Sequence, residues 1–367
     1  MRVGGVPLTS WAALFAALCM FIGWDWDISW HRSIGRDTAW TPAHVAIYIS
    51  LAIAFVSNAI VVLSHTFGRH KSAPGVTVLG FRGPTGAFVT LFAVLMQFVG
   101  ILFDVWWHAV YGVDAAMFTT PHSLIALGIW IFFVGQFFVA AREINLTAPG
   151  ERRPQIVVAV LILSLFIGYV MIGNDPTYGP LGVRSQAFMI SCALLVPLPL
   201  LLIQEYLAWR WAGVVSAALY FVAAVIISQV FQLFPAHPRF GPVYHRLNTF
   251  LPPAFPVLLV IPAALMGWIA HRRTGRLVTF LWLGAVFVVT FTATNWVTSA
   301  FLASPAARNR LFAGHLPGTV FMEGFRVVPP IRANAEGALF VAMSIAVAAS
   351  SSWSGSRIGR WLREVVR

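Results

Sequence analysis

Residues 84–107 read PTGAFVTLFAVLMQFVGILFDVWW, a run whose only charged side chain is that of Asp104. A helix that crosses the hydrocarbon core of a bilayer needs about 20 mostly apolar residues. This run is long enough, and a helix that is apolar on all sides is not stable in water. The segment therefore predicts a membrane-spanning helix and makes lipid the main solvent of this chain.

The composition of the whole chain agrees with that prediction. Of 367 residues, 59% are hydrophobic and only 10% are charged, whereas soluble domains carry about 25% charged residues. The net charge is +12, but the basic residues form short clusters between apolar runs, and no basic patch is interleaved with aromatic residues. This pattern is typical of a membrane protein and argues against a nucleic-acid partner. Cys19 and Cys192 both lie inside apolar runs, which excludes a disulfide framework and a CxxC site.

Ten runs meet the length requirement of a membrane span. They cover residues 7–24, 44–64, 84–107, 122–141, 155–173, 186–209, 211–234, 254–271, 277–303 and 336–353. The short connection at Trp209 and Arg210 predicts a tight helical hairpin, and Pro197, Pro199 and Pro262 predict kinks within their spans. The expected fold is an all-α, polytopic integral membrane bundle of about ten helices.

Clusters of basic residues predict the orientation of the bundle. The connections 65–83, 142–154 and 271–276 and the tail after residue 353 carry several arginines or lysines, and all lie on one side if there are ten spans. The positive-inside rule assigns that side to the cytoplasm. The loop 304–335 carries arginines on the other side, but long loops weigh less in the rule. Both termini are then expected in the cytoplasm, and the protein is expected in a bacterial inner (plasma) membrane.

A first set of metal-binding side chains begins near the end of the first span. Asp27 and His31 are four residues apart, so on a helix they share one face and can bind one ion. His44 follows after twelve intervening residues, just inside the second span. There Thr41 can cap the helix and Pro42 can occupy its first turn. We expect Asp27, His31 and His44 to form one metal site.

The second set repeats this plan one helix pair later. Asp104 and His108 are again four residues apart, at the end of the third span. His122 follows after thirteen intervening residues and is again preceded by threonine and proline, Thr120 and Pro121. The helix pairs 1–2 and 3–4 are therefore predicted to be two copies of one unit. Both metal sites are expected at the outer face of the membrane.

Metal binding is the interpretation that this repetition favours. Ionisable side chains at membrane depth are costly and usually functional, and chance duplication of the whole spacing is improbable. Asp25, Asp37 and Asp114 are interpreted as helix caps or surface charges. Two imidazoles and one carboxylate at each site leave coordination positions open, which suits a reactive ion better than a structural zinc. By ligand type alone, iron, copper and zinc all remain candidates.

The first motif closely resembles the metal motif in the C subunit of particulate methane and ammonia monooxygenases, of the copper membrane monooxygenase superfamily. The residues that carry the resemblance are Asp27, His31, Arg36-Asp37-Thr38, Thr41-Pro42 and His44. It implies that Asp27, His31 and His44 bind copper within the membrane.

The same subunit has a second copper site with the pattern Asn-x3-His-x13-His. The spacing of Asp104, His108 and His122 meets this pattern. Asp104 stands where the family has asparagine, and this difference adds a negative charge.

The resemblance covers about residues 20–130 and implies a copper-dependent monooxygenase. Such an enzyme activates O2 and hydroxylates a C–H or N–H bond of a small or apolar substrate, here with the six Asp and His residues of the two motifs as catalytic metal ligands. The alternative is a membrane copper-binding or copper-transport protein without catalysis. Residues 1–145 are expected to form the metal-binding four-helix region, and 146–367 a six-helix region of unknown role. The expected partners are the bilayer, the substrate, O2 and an electron donor, while the oligomeric state stays open.

Overall fold

The computed structural model describes residues 2–35, 37–68, 73–112, 119–173, 186–236, 249–250, 257–272, 277–302 and 334–365. Within these ranges the chain is almost entirely helical, and the predicted all-α membrane bundle is confirmed. Asp114 and most of the loop 304–335 lie outside the described residues.

Long helices follow one another along the described chain. They are α1 (Leu8–Ser33), α2 (Pro42–Thr66), α3 (Thr85–Tyr111), α4 (Thr120–Leu146), α5 (Arg153–Gly173), α6 (Gln186–Leu195), α7 (Pro197–Leu207), α8 (Ala212–Phe231), α9 (Val260–Arg272), α10 (Leu277–Leu302) and α11 (Ala335–Leu362). A short 3-10 helix covers Pro149–Glu151. The described strands form two antiparallel hairpins, Arg2–Val3 with Val6–Pro7 and Val76–Val78 with Phe81–Gly83.

Nine of the ten predicted spans are present, within the described ranges, as helical segments long and apolar enough to cross a membrane. The exception is the predicted span 254–271. Its helix α9 has 13 residues, which is about 20 Å at 1.5 Å per residue and is shorter than the hydrocarbon core of about 30 Å. Residues 251–256 lie outside the described part of the chain.

The prolines affect the helices in two ways. The predicted span 186–209 is broken into α6 and α7 at Val196, immediately before Pro197, so the predicted kink is confirmed. The turn between α7 and α8 confirms the tight hairpin. The predicted kink at Pro262 is wrong, because Pro262 lies in the first turn of α9. At that position the missing N–H of proline removes no helical hydrogen bond.

The helix α1 is longer than its apolar run. The sequence predicted an end at residue 24, but α1 continues to Ser33, about two and a half turns further at 3.6 residues per turn. A helix satisfies its own backbone hydrogen bonds, so polar side chains near the membrane edge do not end it. Asp27 and His31 therefore lie on regular helix, and α3 likewise continues through Asp104 and His108.

Packing against α2 and against residues of the second half of the chain places the motif end of α1. Helices α1 and α2 pack together, as do α3 and α4, and α2 also packs against α3. A small apolar cluster joins Trp30 and Ile34 at the end of α1 to Phe231 at the end of α8 and to Phe250. The second half of the chain thus packs directly against the helix that carries the first motif.

The opposite end of the bundle is held by polar contacts. The side-chain amide of Asn145 donates hydrogen bonds to the carbonyl oxygens of Leu362 and Val365, both at 2.7 Å. A carboxylate oxygen of Glu205 lies 3.5 Å from a guanidinium nitrogen of Arg360. These contacts bring the ends of α4, α7 and α11 together, far from the two motifs.

Candidate metal centre

The first motif brings its three predicted residues together. Asp27 and His31 lie one turn apart on α1, with His31 Nε2 at 3.8 Å from Asp27 Oδ2. His44 is the third residue of α2, and its Nε2 lies 3.1 Å from Asp27 Oδ1. The Asp27 carboxylate therefore faces both imidazoles, as the spacing predicted.

Asp37 also belongs to this group, contrary to its interpretation as a cap or surface charge. Its Oδ2 lies 2.8 Å from His44 Nε2 and 3.6 Å from His31 Nε2, and its side chain is only 15% exposed. Carboxylate oxygens of Asp27 and Asp37 and a nitrogen of His31 lie within 4.8 Å of one another. The first site thus contains two carboxylates and two imidazoles.

Asp25 does not fit its predicted role either. Its side chain lies on α1 and the residue is 1% exposed, so the interpretation as a surface charge is wrong. It is two residues before Asp27, and residues this close on a helix do not face the same side.

Hydrogen bonds within the connection between α1 and α2 hold Asp37 in place. The Thr38 N–H donates to Thr41 Oγ1 at 2.9 Å, and the Tyr48 hydroxyl donates to the Ala39 carbonyl oxygen at 2.8 Å. Thr41 occupies the predicted cap position of α2, but its hydroxyl serves the loop instead of the helix backbone. The loop is therefore folded back onto the start of α2, where His44 lies.

In His44 and in His108, the hydrogen bond at Nδ1 fixes the tautomer of the ring. His44 Nδ1 lies 2.9 Å from the carbonyl oxygen of Thr38, and His108 Nδ1 lies 2.9 Å from that of Gly112. A carbonyl oxygen only accepts hydrogen bonds, so Nδ1 carries the hydrogen in both rings. In the neutral ring Nε2 then offers a lone pair. Metal-binding histidines typically have this arrangement.

The second motif has the same geometry. His108 Nε2 lies 3.6 Å from Asp104 Oδ2, and His122 Nε2 lies 3.2 Å from Asp104 Oδ1. His122 is the third residue of α4, just as His44 is the third residue of α2. Ligand atoms of all three residues lie within 4.8 Å of one another. The repeat seen in the sequence is thus a repeat in space.

The spacing of these atoms suits a bound transition metal. Metal–nitrogen and metal–oxygen bonds of about 2.0–2.2 Å at angles of 90–110° place neighbouring ligand atoms roughly 2.9–3.5 Å apart. The nitrogen–oxygen separations here run from 2.8 Å to 3.8 Å. At such distances a neutral Nε2 and a carboxylate oxygen need a cation between them, which is either a proton on the imidazole or a metal ion. The residues present therefore fit a metal ion at both sites.

A close helix contact sets the spacing at each site. A Cβ on Gly23 would lie 2.7 Å from Ile47 Cγ1, and one on Gly100 would lie 2.7 Å from Ile125 Cγ1. Each glycine is four residues before the site aspartate, and each isoleucine is three residues after the second histidine. The absence of a side chain at the glycine lets the two helices of each pair approach closely enough for aspartate and histidine to meet.

Both sites open into one cavity of about 470 Å³. Its polar lining includes Asp27, Asp37, His44, Asp104, His108 and His122. Its apolar lining includes Trp24, Ile47, Ile101, Val105 and Ile125. A molecule that fills this cavity would contact both sites at once, with hydrocarbon side chains around it.

Comparison with known proteins finds no family model, no curated protein and no solved structure that matches this chain. The geometry of the site therefore carries the functional argument.

Sequence reasoning missed Asp37, although a signal for it is present. In both motifs an aspartate lies six residues after the first histidine. Asp37 follows His31 in the first motif, and Asp114 follows His108 in the second. The glycine and isoleucine positions repeat as well. The duplicated unit is thus longer than the Asp–His–His spacing that revealed it.

Proposed function

We propose that this chain is an integral-membrane, copper-dependent monooxygenase that uses O2 to hydroxylate a C–H or N–H bond of a small or apolar substrate. The observation that carries the proposal is the pair of Asp–His groups facing one cavity with apolar walls. The choice of copper rests on the motif resemblance, because the ligand types also suit iron and zinc.

The chain's own residues have distinct tasks in this proposal. His44 and His108 offer Nε2 to an ion because their Nδ1 hydrogens are held by backbone carbonyls. Asp27 and Asp104 balance the charge of the ions. Bound copper would supply the one-electron chemistry that O2 activation requires. The apolar lining holds the reacting bond of the substrate near the ions and limits the access of water.

The orientation is also part of the proposal. The end of the bundle that carries Arg142, Arg152, Arg360 and Arg363 is opposite the metal sites. The positive-inside rule assigns that end to the cytoplasm. The metal sites would then face outward from a bacterial inner membrane.

Metal analysis combined with a turnover assay tests the function. The full chain, purified in lipid nanodiscs and loaded with copper, should bind copper at both sites and incorporate oxygen from ¹⁸O2 into a short alkane or ammonia when a reductant is supplied. His44→Ala should empty the first site and abolish turnover. His271→Ala, which changes an exposed histidine at the end of α9, should leave both properties unchanged.

Two outcomes would contradict the proposal. Protein that binds no transition metal after copper loading would refute any metal chemistry at these residues. Protein that binds copper stoichiometrically but incorporates no oxygen would instead favour a non-catalytic copper-binding or copper-transport protein.

A further inference from the structure

The first site holds one more carboxylate than its motif requires. Asp27 and Asp37 both lie within 4 Å of the Nε2 atoms of His31 and His44. With neutral imidazoles, the four side chains carry a charge of −2. A divalent cation cancels this charge, whereas a monovalent cation leaves one negative charge beside two carboxylate side chains that are only 15% exposed.

We propose that Asp37 is a direct metal ligand and makes the first site prefer a divalent to a monovalent ion. The inference rests on the proposed metal-binding function and deepens it. For copper it means that Asp37 stabilises Cu²⁺ relative to Cu⁺. Carboxylate oxygen is a hard ligand, and Cu⁺ favours soft ligands, so ligand type acts in the same direction as charge.

The position of Asp37 supports a ligand more than a mobile surface charge. Three hydrogen bonds hold the residues after it. The Thr38 N–H donates to Thr41 Oγ1, His44 Nδ1–H donates to the Thr38 carbonyl oxygen, and the Tyr48 hydroxyl donates to the Ala39 carbonyl oxygen. The one contact between Thr38 and His44 orients both the loop and the ring. The carboxylate is therefore directed at Nε2 by the same loop that fixes the tautomer of His44.

The test measures copper affinity at the first site alone. In the full chain, His108→Ala with His122→Ala removes the imidazoles of the second site. Affinities for Cu²⁺ and for Cu⁺ are then measured by competition with chelators selective for each ion. Asp37→Asn is compared with its parent, because asparagine keeps the shape of the side chain and removes only the charge.

The expected result is an unequal loss of affinity. Coulomb energy is proportional to the charge of the ion, so the logarithm of the fold-change should be about twice as large for Cu²⁺ as for Cu⁺. A loss of about tenfold for Cu⁺ would accompany a loss of about 100-fold for Cu²⁺. The Cu²⁺/Cu⁺ potential should then rise by about 59 mV, the value for a tenfold relative change in a one-electron couple.

Asp25→Asn is the matched control, because it makes the same substitution at a buried carboxyl group on α1, two residues before Asp27. It should change the two affinities by less than about threefold. Thermal unfolding without metal confirms that each variant is folded.

An equal loss for both ions, or none, in Asp37→Asn would overturn the inference and leave the proposed function standing. A parent that binds neither ion would overturn both.

Discussion

Gly23→Ala disturbs the first candidate metal site without changing any proposed ligand. A Cβ added there would lie 2.7 Å from Ile47 Cγ1, 3.0 Å from the Ile47 backbone nitrogen and 3.1 Å from the Ala43 carbonyl oxygen. Ordinary van der Waals contacts begin at about 3.4 Å. The side chain of Ile47 can rotate away, but the two backbone atoms cannot, so Gly23→Ala requires α1 and α2 to separate by several tenths of an ångström.

The separation acts directly on the ligands. Asp27 lies one turn beyond Gly23 on α1, and His44 lies one turn before Ile47 on α2. Metal–ligand distances tolerate a change of about 0.2 Å, and the required separation exceeds this. We expect Gly23→Ala to weaken metal binding at the first site by about 10–100-fold, the range seen when groups that support metal ligands are removed. Overpacking should also cost about 1–3 kcal/mol of folding stability.

The assay is a chelator competition for each site, combined with thermal unfolding of the metal-free protein. Gly150→Ala is the control, because no atom lies within 4 Å of an added Cβ there. Its stability should change by less than about 0.5 kcal/mol. Adding Ile47→Ala to Gly23→Ala removes only the contact with Cγ1 and should restore little affinity, because the contacts with the Ile47 backbone nitrogen and the Ala43 carbonyl oxygen remain. A folded Gly23→Ala protein that binds metal within about twofold of the parent would refute the reasoning.

Three further predictions follow from the same structure. Gly100→Ala should weaken the second site less than Gly23→Ala weakens the first, because its Cβ would lie 2.7 Å from Ile125 Cγ1 but 3.4 Å or more from the Ile125 backbone, so rotation of one side chain relieves the contact. Site-resolved metal titration checks this, and a loss as large as that of Gly23→Ala would contradict it. Asp104→Asn should reduce the affinity of the second site for a divalent ion by at least about tenfold without unfolding the bundle, since it removes a full charge. If metal binding and turnover were unchanged, Asp104 would be only a charge at the end of a helix and not a ligand. In a cysteine-free background, a cysteine replacing Ala115 should react with an impermeant reagent added outside and one replacing His70 should not; the reverse labelling would overturn the orientation.

The membrane spans could be predicted from the sequence because lipid imposes a length that apolar runs must match. The ends of the helices could not be predicted as well. At the end of α1, Asp25 and Asp27 interrupt the apolar run, but the helix continues to Ser33. Hydropathy measures where lipid ends, and backbone hydrogen bonding decides where a helix ends.

The residues of the candidate metal sites could be predicted where local helix geometry places them. The step of four residues from Asp27 to His31 places both on one helix face, and a repeat one helix pair later excluded chance. Asp37 followed no such rule, because a loop residue can face any direction until its hydrogen bonds are known. The contacts of Thr38 with His44 and of Ala39 with Tyr48 show that this loop returns to the site.

The shared cavity could not be predicted from the sequence. Each helix pair explains one site, but the two sites meet because α2 packs against α3, and no motif records that contact. Helix packing in lipid depends on small residues and shape, which leave a weak sequence pattern.

The positions of Gly23 and Gly100 indicate that helix packing, and not a bound ion, sets the distances within the two candidate sites. The close contacts at Gly23 and Gly100 lie one turn deeper in the bundle than Asp27 and Asp104, so apolar packing sets the helix spacing independently of an ion. Packing this close brings carboxylates of Asp27, Asp37 and Asp104 to one cavity, where their repulsion is poorly screened. An ion that binds only the folded state relieves this repulsion and adds about 2.7 kcal/mol of stability at 100 times its dissociation constant. Packing thus builds the candidate sites, and the repulsion it creates would make them bind cations.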